Sequence, residues 1–394
     1  MQSKLVGVLC IAVLCIILTL GLQPFHSPRN NIAWLRSVNG LSYGRNGTIQ
    51  GSDVLRPENG VSGSFEVWVQ PDRWTNATIL AFYEPEIHRL IRLQQSVSDL
   101  KLEAEVQRDG SQATKASLYV RDAFGPSLRE KEPIFITVTY NPDRARVYLD
   151  GVLAEDSARF RMPQGGFSGR IVVGDAPWQP DNFRGQIRGL AAYDAELTDA
   201  QVARHYLTWT KKGHPDITEK ERNIALYLFD EGAGTVIHNR AAAGVDLYIP
   251  ETYNVVDKMA LEPFWQEFNV SWSYWKAALV NVVGFIPLGF VFYVYFRVAR
   301  PIRRSILVTL AVGAATSLTI EVLQAFLPTR DSGTTDLITN TLGTYLGVLC
   351  YRDVYSIVTK RFPGLRWFLE PRTGGKVTEA VPEQNWKSPP RWTS

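Results

Sequence analysis

A short stretch near the C-terminus places polar side chains between apolar runs. Glu321, Gln324, Arg330, Asp336 and Asn340 fall within 20 residues. An ionisable side chain inside a membrane helix costs about 2.5–3.5 kcal/mol, so such a residue faces protein or water and has a partner. Side chains three or four residues apart share a helix face. We therefore predict that these five side chains form one polar cluster, with Arg330 as the only cation nearby.

This cluster has the chemistry of an anion-binding site. Arg330 can hold a phosphate or a carboxylate through paired hydrogen bonds. Asn281, about one turn into the preceding apolar segment, is a further candidate ligand. Glu321 or Asp336 is a candidate acid or base. Alternatively, the polar groups only tie the helices together, although such contacts average under about 1 kcal/mol. We predict binding for the cluster and assign no catalytic residue.

Four apolar segments surround these residues and predict a four-helix α-helical transmembrane domain. A bilayer core needs about 20 mainly apolar residues in a helix. The first segment resembles a secretory signal peptide, but it ends without a small-residue cleavage pattern, so we expect it to be retained. Gly343 and Gly347 form a small-residue face that allows close helix packing. The predicted helices span residues 1–24, about 277–296, 305–326 and 336–352.

Basic residues outside the apolar segments predict the orientation of the helices. Loops rich in Lys and Arg stay in the cytoplasm. Both termini are therefore predicted to be cytoplasmic, in the inner (plasma) membrane, and residues from about 23 to 275 are predicted to be outside. The residues that carry this prediction are Lys4, the four arginines Arg297, Arg300, Arg303 and Arg304, and the group Arg352, Lys360, Arg361 and Arg366.

The region from 30 to 250 has the pattern of a β-sandwich. In residues 62–71, Phe65, Val67 and Val69 lie on one face of a predicted strand. The residues of the opposite face are Glu66, Trp68 and Gln70, and this alternation is typical of a strand with one buried side. Asp150-Gly151 joins two apolar runs and is a strong two-residue hairpin signal. Regular short strands separated by turn signals indicate a sandwich.

Two further segments complete this region. Residues 197–209 predict a short helix, with Thr198 or Asp199 as its N-cap. Asn223–Pro250 follows that helix and is strand-like again. We interpret it as completing the same sandwich; the alternative is that it begins a truncated second unit. The first interpretation is favoured because few residues remain before the next membrane segment.

Loop residues of this region supply candidate ligand contacts. Trp74, Trp178 and Phe183 are candidate platforms for stacking against sugars, and the alternative is that they cap the core. Asp175 and Asp181 are candidate Ca²⁺ ligands, because calcium takes several oxygen ligands. No other metal or cofactor is predicted.

Two glutamates on one strand have the alternation that a sandwich glycanase would use. Glycoside hydrolysis needs two carboxylates that flank the scissile bond. Glu103 and Glu105 alternate correctly, but the E-x-D-x-x-E pattern is absent. We therefore interpret them as part of a solvated strand face.

The strand segments resemble a known fold family. EVWVQP, YNPDRARVYLDGVLAE, IVVG and FRGQIRGLAAYDAELTDAQVARHY are similar in order and spacing to concanavalin A-like, laminin-G-like domains. The resemblance implies an all-β jelly-roll sandwich. It implies little about function, because one fold hosts many functions.

The helical region resembles the VanZ-like membrane family. NVVGFIPLGF and SLTIEVLQAFLPTRDSGTTDLITNTLGTYLG carry the likeness, and the sandwich would be an insertion between that family's first two helices. The resemblance implies a VanZ-like domain at 275–355 and a role in the bacterial cell envelope, where the family is associated with resistance to the glycopeptide teicoplanin. The matching positions are Asn281, Phe285, Pro287, Gly289, Glu321, Gln324, Pro328, Arg330, Asp336, Asn340, Gly343 and Gly347.

Composition narrows the remaining classes of function. The net charge is +3, so no nucleic-acid partner is predicted. The 3 cysteines all lie in apolar runs, so the middle region must fold without a disulfide framework. Residues 370–394 are polar and rich in Pro, and we expect a disordered cytoplasmic tail.

The sequence as a whole predicts a multi-domain, non-enzymatic membrane protein of the bacterial cell envelope. Its partners would be the lipid bilayer and an envelope polysaccharide or lipid-linked glycan. Two alternatives remain open. One is an enzyme that acts on an envelope lipid or glycan through Glu321 or Asp336. The other is a scaffold whose sandwich docks a partner protein.

Overall fold

The computed structural model describes residues 2–87, 89–106, 114–178, 180–241, 244–268, 270–362 and 369. The chain divides into two compact units. The membrane unit comprises Met1–Leu22, Glu262–Glu321 and Gly333–Ser394, and the sandwich unit comprises Gln23–Leu261 and Val322–Ser332. The predicted tail at 370–394 lies outside the described residues.

The sandwich unit contains 16 strands within the described ranges. In chain order these are β1 (Ile32–Trp34), β2 (Leu41–Tyr43), β3 (Ile49–Leu55), β4 (Gly63–Pro71), β5 (Thr75–Glu84), β6 (Arg89–Val97), β7 (Asp99–Val106), β8 (Thr114–Val120), β9 (Ile134–Tyr140), β10 (Ala145–Leu149), β11 (Val152–Ser157), β12 (Gly169–Val173), β13 (Gly185–Tyr193), β14 (Asn223–Tyr227), β15 (Val236–Ile237) and β16 (Leu247–Tyr248).

These strands form two sheets, as a sandwich requires. One sheet has the order β1-β2-β13-β4-β9-β10-β11, with β14 also paired to β13, and the other has the order β15-β16-β3-β12-β5-β6-β7-β8. The segment Asn223–Pro250 therefore adds β14 to the first sheet and β15 and β16 to the second.

Local sequence signals account for several of these elements. Phe65, Val67 and Val69 of β4 point into the core between the sheets, because alternate residues of a strand face opposite sides. The turn between β10 and β11 has positive φ at both Asp150 and Gly151, as a tight hairpin demands. The predicted hairpin and the predicted core face of β4 are confirmed.

Helices occur in both units. They are α1 (Gln2–Leu22), α2 (Gly125–Glu130), α3 (Asp199–Lys212), α4 (Phe264–Glu267), α5 (Trp272–Val294), α6 (Ser305–Gln324) and α7 (Thr334–Arg361), and a π-helical turn at Tyr295–Ala299 continues α5. The N-cap of α3 is Thr198, whose side chain and that of Gln201 form a capping box. The helix and the cap predicted there are confirmed.

Three of the described helices are long and apolar enough to cross a membrane. They span Ser3–Leu22, Trp272–Ala299 and Ser305–Gln324. α7 has the length, but it is not among them, and the fourth predicted span stays a prediction. Instead of ending near residue 352, α7 continues to Arg361.

Glycines bring the backbones of α5 and α7 close together. A Cβ atom on Gly343 would overlap the carbonyl oxygen of Val282, and one on Gly347 would overlap that of Ile286. On the facing helix, a Cβ atom on Gly289 would overlap the carbonyl oxygen of Thr344. Close packing of this kind replaces the hydrophobic driving force that helices lack in lipid. The predicted small-residue face is thus where α7 contacts α5.

Candidate functional site

Glu321 lies at the end of α6 and contacts the start of α7. Its Oε2 atom accepts a hydrogen bond from the backbone N–H of Gly333 at 2.8 Å, and the side chain is 1% exposed. The first N–H groups of a helix have no partner inside the helix, and they carry a partial positive charge. A carboxylate at this position therefore satisfies the start of α7 and stabilises it.

A second carboxylate reaches the same helix start from α4. Glu267 Oε2 accepts from the backbone N–H of Thr335 at 2.9 Å, and the carbonyl oxygen of Glu262 accepts from the N–H of Thr334 at 2.8 Å. A Cβ atom on Gly333 would overlap the Glu267 carboxylate, so a larger residue there would displace that side chain from the start of α7. We call Glu267, Glu321 and Asp336, around Gly333, the helix-start cluster.

Polar groups of α6 and α7 also meet one turn deeper. Asn340 Nδ2 donates to Ser317 Oγ at 2.9 Å, and Thr344 Oγ1 donates to the carbonyl oxygen of Asn340 at 3.0 Å. All three side chains are buried. Asn340 Oδ1 has no hydrogen-bond partner among the described atoms. Asn340 therefore links α7 to α6 through Ser317, and a ligand for Asn340 or Glu321 stays a prediction.

The other predicted members of the cluster, Gln324, Asn281 and Arg330, differ in burial. Gln324 is buried, while Asn281 and Arg330 are half-buried. Within the sandwich unit, Lys258 Nζ donates to the carbonyl oxygen of Gln324 at 2.6 Å and to that of Leu327. The expectation that Arg330 is the only cation nearby is therefore wrong. Lys258 is 66 residues from Gln324, so helix spacing gave no signal for it.

The three aromatic candidates of the sandwich differ in exposure. Trp74, between β4 and β5, is 49% exposed. Trp178 is half-buried and packs edge-to-face on Tyr83, with ring centroids 5.4 Å apart. Phe183 is fully buried and contacts Tyr43, so it cannot offer a face to a sugar. The prediction of Phe183 as a stacking platform is wrong, and its alternative, a core position, is correct.

Asp175, one of the two calcium candidates, is used within the protein. Its Oδ1 accepts from the backbone N–H groups of Ala176 and Asp181 at 2.9 and 2.7 Å, and its Oδ2 accepts from the hydroxyl of Tyr253 at 2.6 Å. Burial raises the pKa of Asp175 to about 7, and these hydrogen bonds oppose the rise. Asp181 Oδ2 accepts from Thr78 Oγ1 at 2.6 Å.

The two carboxylates therefore organise the loop that links β12 to β13. In the part of the chain that the structure describes, no group of three or more His, Cys, Asp or Glu side chains has a metal-binding arrangement. Calcium at Asp175 and Asp181 stays a prediction.

Glu103 is the centre of a buried ion-pair cluster. It is 4% exposed and accepts from Arg92 Nε at 2.9 Å and from Lys101 Nζ. Burial opposes its ionisation, but Lys101 and Arg92 together lower the pKa of its carboxyl. The interpretation of Glu103 as a solvated residue is wrong. A carboxyl with a lowered pKa is a poor proton donor, which disfavours a general-acid role for Glu103.

Beneath α3 lies a buried polar network that the sequence did not indicate. Glu66 Oε1 contacts His205 Nδ1 at 3.0 Å, and Glu66 Oε2 accepts from Tyr193 at 2.8 Å and from Trp209 at 3.3 Å. The other ring nitrogen of His205 lies 3.4 Å from Glu221 Oε2. Alternation placed Glu66 on the polar face of β4, and α3 covers that face.

This network favours the protonated form of His205, which lies between two carboxylates. Burial disfavours the charged imidazole, but the hydrogen bond and charge of Glu66, with the charge of Glu221, raise the pKa of His205. Glu221 also accepts from Gln201 at 2.9 Å and from Arg204. The network therefore ties α3 to β4 and to the turn at Glu221.

A surface cleft of about 450 Å³ lies beside the start of α3. Arg146 and Glu196 line it, 3.5 Å apart, and Asn141 donates to both oxygens of Glu196 at 3.0 and 2.9 Å. Fixed amide, guanidinium and carboxylate groups at one cleft can bind the hydroxyl groups of a sugar.

Two family models match parts of the chain. The VanZ/LLP1 model matches residues 233–358, and the model of the concanavalin A-like lectin/glucanases superfamily matches residues 44–203. No curated protein matches the chain.

Several solved structures are similar to part of the chain. A Bacteroides ovatus protein, described as a candidate carbohydrate-binding protein, shares 13% identity with a TM-score of 0.36, over 55% of this chain and 58% of that one. The SAP-like pentraxin of Limulus polyphemus shares 12% identity with a TM-score of 0.32, over 56% of this chain and 94% of that one. The receptor-binding domain of a botulinum neurotoxin C/D mosaic shares 13% identity with a TM-score of 0.34, over 57% and 63%.

Proposed function

Because this chain joins a VanZ-like domain to a concanavalin A-like domain, we propose that it is a non-enzymatic membrane protein of the bacterial cell envelope. Its sandwich binds an envelope glycan, and its helices bind the head group of a lipid-linked precursor. The observation that carries the proposal is the presence of both family matches in one chain that also has three apolar membrane helices.

The proposed topology follows from the basic residues. The arginines between α5 and α6 and those at the end of α7 stay in the cytoplasm, so both termini are inside and the sandwich is outside. A reporter fused at residue 210 is then active outside the cell, and one fused at residue 375 is active inside. The opposite result, or two reporters on one side, contradicts the topology.

Within the sandwich, two surfaces support glycan binding. Trp74 presents an exposed ring for stacking, and the cleft at Arg146 and Glu196 supplies hydrogen-bonding groups. Aromatic rings bind apolar faces, and a few fixed polar groups give specificity. The same logic favours glycan binding over protein docking, because the sandwich offers an exposed aromatic ring and, separately, a cleft with fixed polar groups.

In the membrane unit, the proposed head-group site lies beside the helix-start cluster. Glu321 is held by the Gly333 amide, and Asn340 presents an oxygen without a partner among the described atoms. A head group rich in hydroxyl or amide donors fits such acceptors. This chemistry needs no proton transfer, so a binding role accounts for the geometry without a catalytic step.

The test is glycan binding by the full chain in lipid nanodiscs. An array of bacterial cell-wall and capsular glycans is expected to show binding that falls in both Trp74→Ala and Arg146→Gln. Val152→Ala, an exposed change on β11, is the matched control and is expected to bind as the unchanged chain does. Absence of binding to every glycan, with capture of an envelope protein instead, would support the scaffold alternative.

A further inference from the structure

A run of apolar side chains just before α5 is exposed. Six residues between 264 and 275 are 49% to 85% exposed, and five of the six are aromatic. They are Phe264, Trp265, Phe268, Val270, Trp272 and Trp275. We call residues 264–268 and 270–275 the aromatic elbow. An exposed apolar patch of this kind marks an interaction surface.

The elbow is internally packed. The rings of Phe268, Tyr274 and Trp275 contact one another edge-to-face, with centroids 5.5 to 6.3 Å apart. Ser271 caps α5 by accepting from the N–H of Tyr274 at 3.3 Å. Phe268 therefore packs on the first turn of α5, next to the exposed ring of Trp272.

Charges at both ends of α5 define the depth of the elbow. Lys276 and Arg297 are exposed, and the 20 residues between them, 277–296, carry no charge. A helix of that length spans about 30 Å, which equals the hydrocarbon thickness of a bilayer. Lys276 then stands at the edge of the hydrocarbon, and the elbow directly before it lies at the level of the lipid head groups.

The elbow is also attached to the start of α7. The carbonyl oxygen of Glu262 accepts from the N–H and the hydroxyl of Thr334 at 2.8 and 3.1 Å, and Glu267 accepts from the N–H of Thr335. Glu262 and Gly333 form a β-bridge. These bonds place the first turn of α7 at the depth of the elbow.

From these contacts we propose that the aromatic elbow is a lipid-binding surface. Its occupant is the head-group layer of the leaflet at the N-terminal end of α5. Trp and Tyr favour that layer, because their rings are apolar at one end and polar at the other. By binding there, the elbow holds the helix-start cluster at the membrane surface. This inference requires that α5 spans a bilayer and does not depend on glycan binding.

The test is the depth of a spin label at Val270 in nanodiscs of phosphatidylcholine and phosphatidylglycerol. Cys10, Cys15 and Cys350 are first replaced by Ala, and Val270→Cys is labelled. Power saturation is expected to give a label near the phosphate plane, with accessibility to a nickel chelate lower than at Val152→Cys and a depth shallower than at Val283→Cys. Val152 is exposed on β11, and Val283 is exposed midway along α5.

Two outcomes would overturn the proposal. One is a label at residue 270 that is as accessible to the nickel chelate as the label at residue 152. The other is a label that neither oxygen nor nickel reaches, which would mean that protein covers the elbow.

A second measurement does not depend on the cysteine replacements. Lipids brominated near the head group quench tryptophans at that depth, and 3 of the 11 tryptophans lie in the elbow. The variant Trp265→Phe/Trp272→Phe/Trp275→Phe keeps aromatic rings in place and is expected to lose most of this quenching. Equal quenching in the variant and the unchanged chain would contradict the proposal.

Discussion

Replacing His205 with Phe removes the charge at the centre of the network beneath α3. Phe keeps an aromatic ring next to Tyr193, whose centroid lies 5.4 Å from the imidazole, so the change removes hydrogen bonds and charge more than volume. Both carboxylates that contact His205 are buried. Breaking a buried ion pair by removing one partner costs about 3–5 kcal/mol. In His205→Phe, Glu66 keeps the hydrogen bonds from Tyr193 and Trp209 but loses its cationic partner, which is the source of the expected cost.

The measurement is calorimetric unfolding of the full chain in nanodiscs. For a domain of about 150–250 residues, 1 kcal/mol shifts Tm by about 2–4 °C. The sandwich transition of His205→Phe is therefore expected about 6–20 °C below that of the unchanged chain. His238→Phe is the matched control, since His238 is 61% exposed and pairs with Glu231 at 3.7 Å. Surface changes of this kind stay within about 0.5 kcal/mol.

The effect also depends on pH in a defined direction. The pKa of His205 is raised in the folded protein, so its contribution is full below the unfolded value and is lost as the pH rises through the folded value. Burial alone would raise the pKa of Glu221, but the hydrogen bond from the Thr218 amide and the charges of His205 and Arg204 lower it further than burial raises it. Its contribution is therefore lost as the pH falls. The Tm difference between the unchanged chain and His205→Phe should be largest near pH 6 and shrink at alkaline pH.

A Tm for His205→Phe within the range of the His238→Phe control would refute this reasoning. So would a Tm difference that grows as the pH rises above 7, because the charged imidazole would then not be the stabilising species.

Three further predictions concern the membrane helices and the sandwich surface. Gly343→Leu is expected to lower the free energy of unfolding by at least about 1–3 kcal/mol through overlap with α5, measured as a lower Tm and a lower protein level. Gly284→Leu is the control and is expected to leave both unchanged, because nothing lies within 4 Å of its added Cβ. Glu321→Gln keeps the acceptor for the Gly333 amide, so normal folding and an unchanged envelope phenotype are expected; loss of the phenotype in a normally folded variant would favour the enzyme alternative. Trp74→Ala is expected to reduce glycan binding without changing Tm. Phe183→Ala is expected to lower the free energy of unfolding by about 3–5 kcal/mol, because Phe183 is buried. Equal Tm values for the two variants would contradict the exposed position of Trp74 and the buried position of Phe183.

Local patterns were sufficient for much of the fold. The alternation of Phe65, Val67 and Val69, the Asp150-Gly151 turn and the Thr198 cap each depend on residues within about four positions, and all three match the structure. Three of the apolar runs also form helices long enough to cross a membrane, as predicted, because a run of about 20 apolar residues is itself the signal for such a helix. The polar residues of α7 left its role as a fourth span undecided.

Contacts between residues far apart in the sequence could not be predicted from local patterns. Glu66 was placed on a polar face by alternation, and only the packing of α3 over β4 buries it against His205, 139 residues away. Phe183 lies in a loop, where the sequence left an exposed ring and a core position both open, and the structure buries it in the core between the sheets.

The polar residues near the C-terminus show the same division. By itself the sequence determined that Glu321 is costly in a membrane helix and must have a partner, and it predicted the same for Asn340 if α7 also crosses the membrane, because the energetic cost depends on residue type and depth. Only the tertiary structure decided which partners these are: the Gly333 amide for Glu321 and Ser317 for Asn340. Hydrogen bonds need atoms within about 3 Å, and that proximity is set by how α4, α6 and α7 pack rather than by spacing along any one helix.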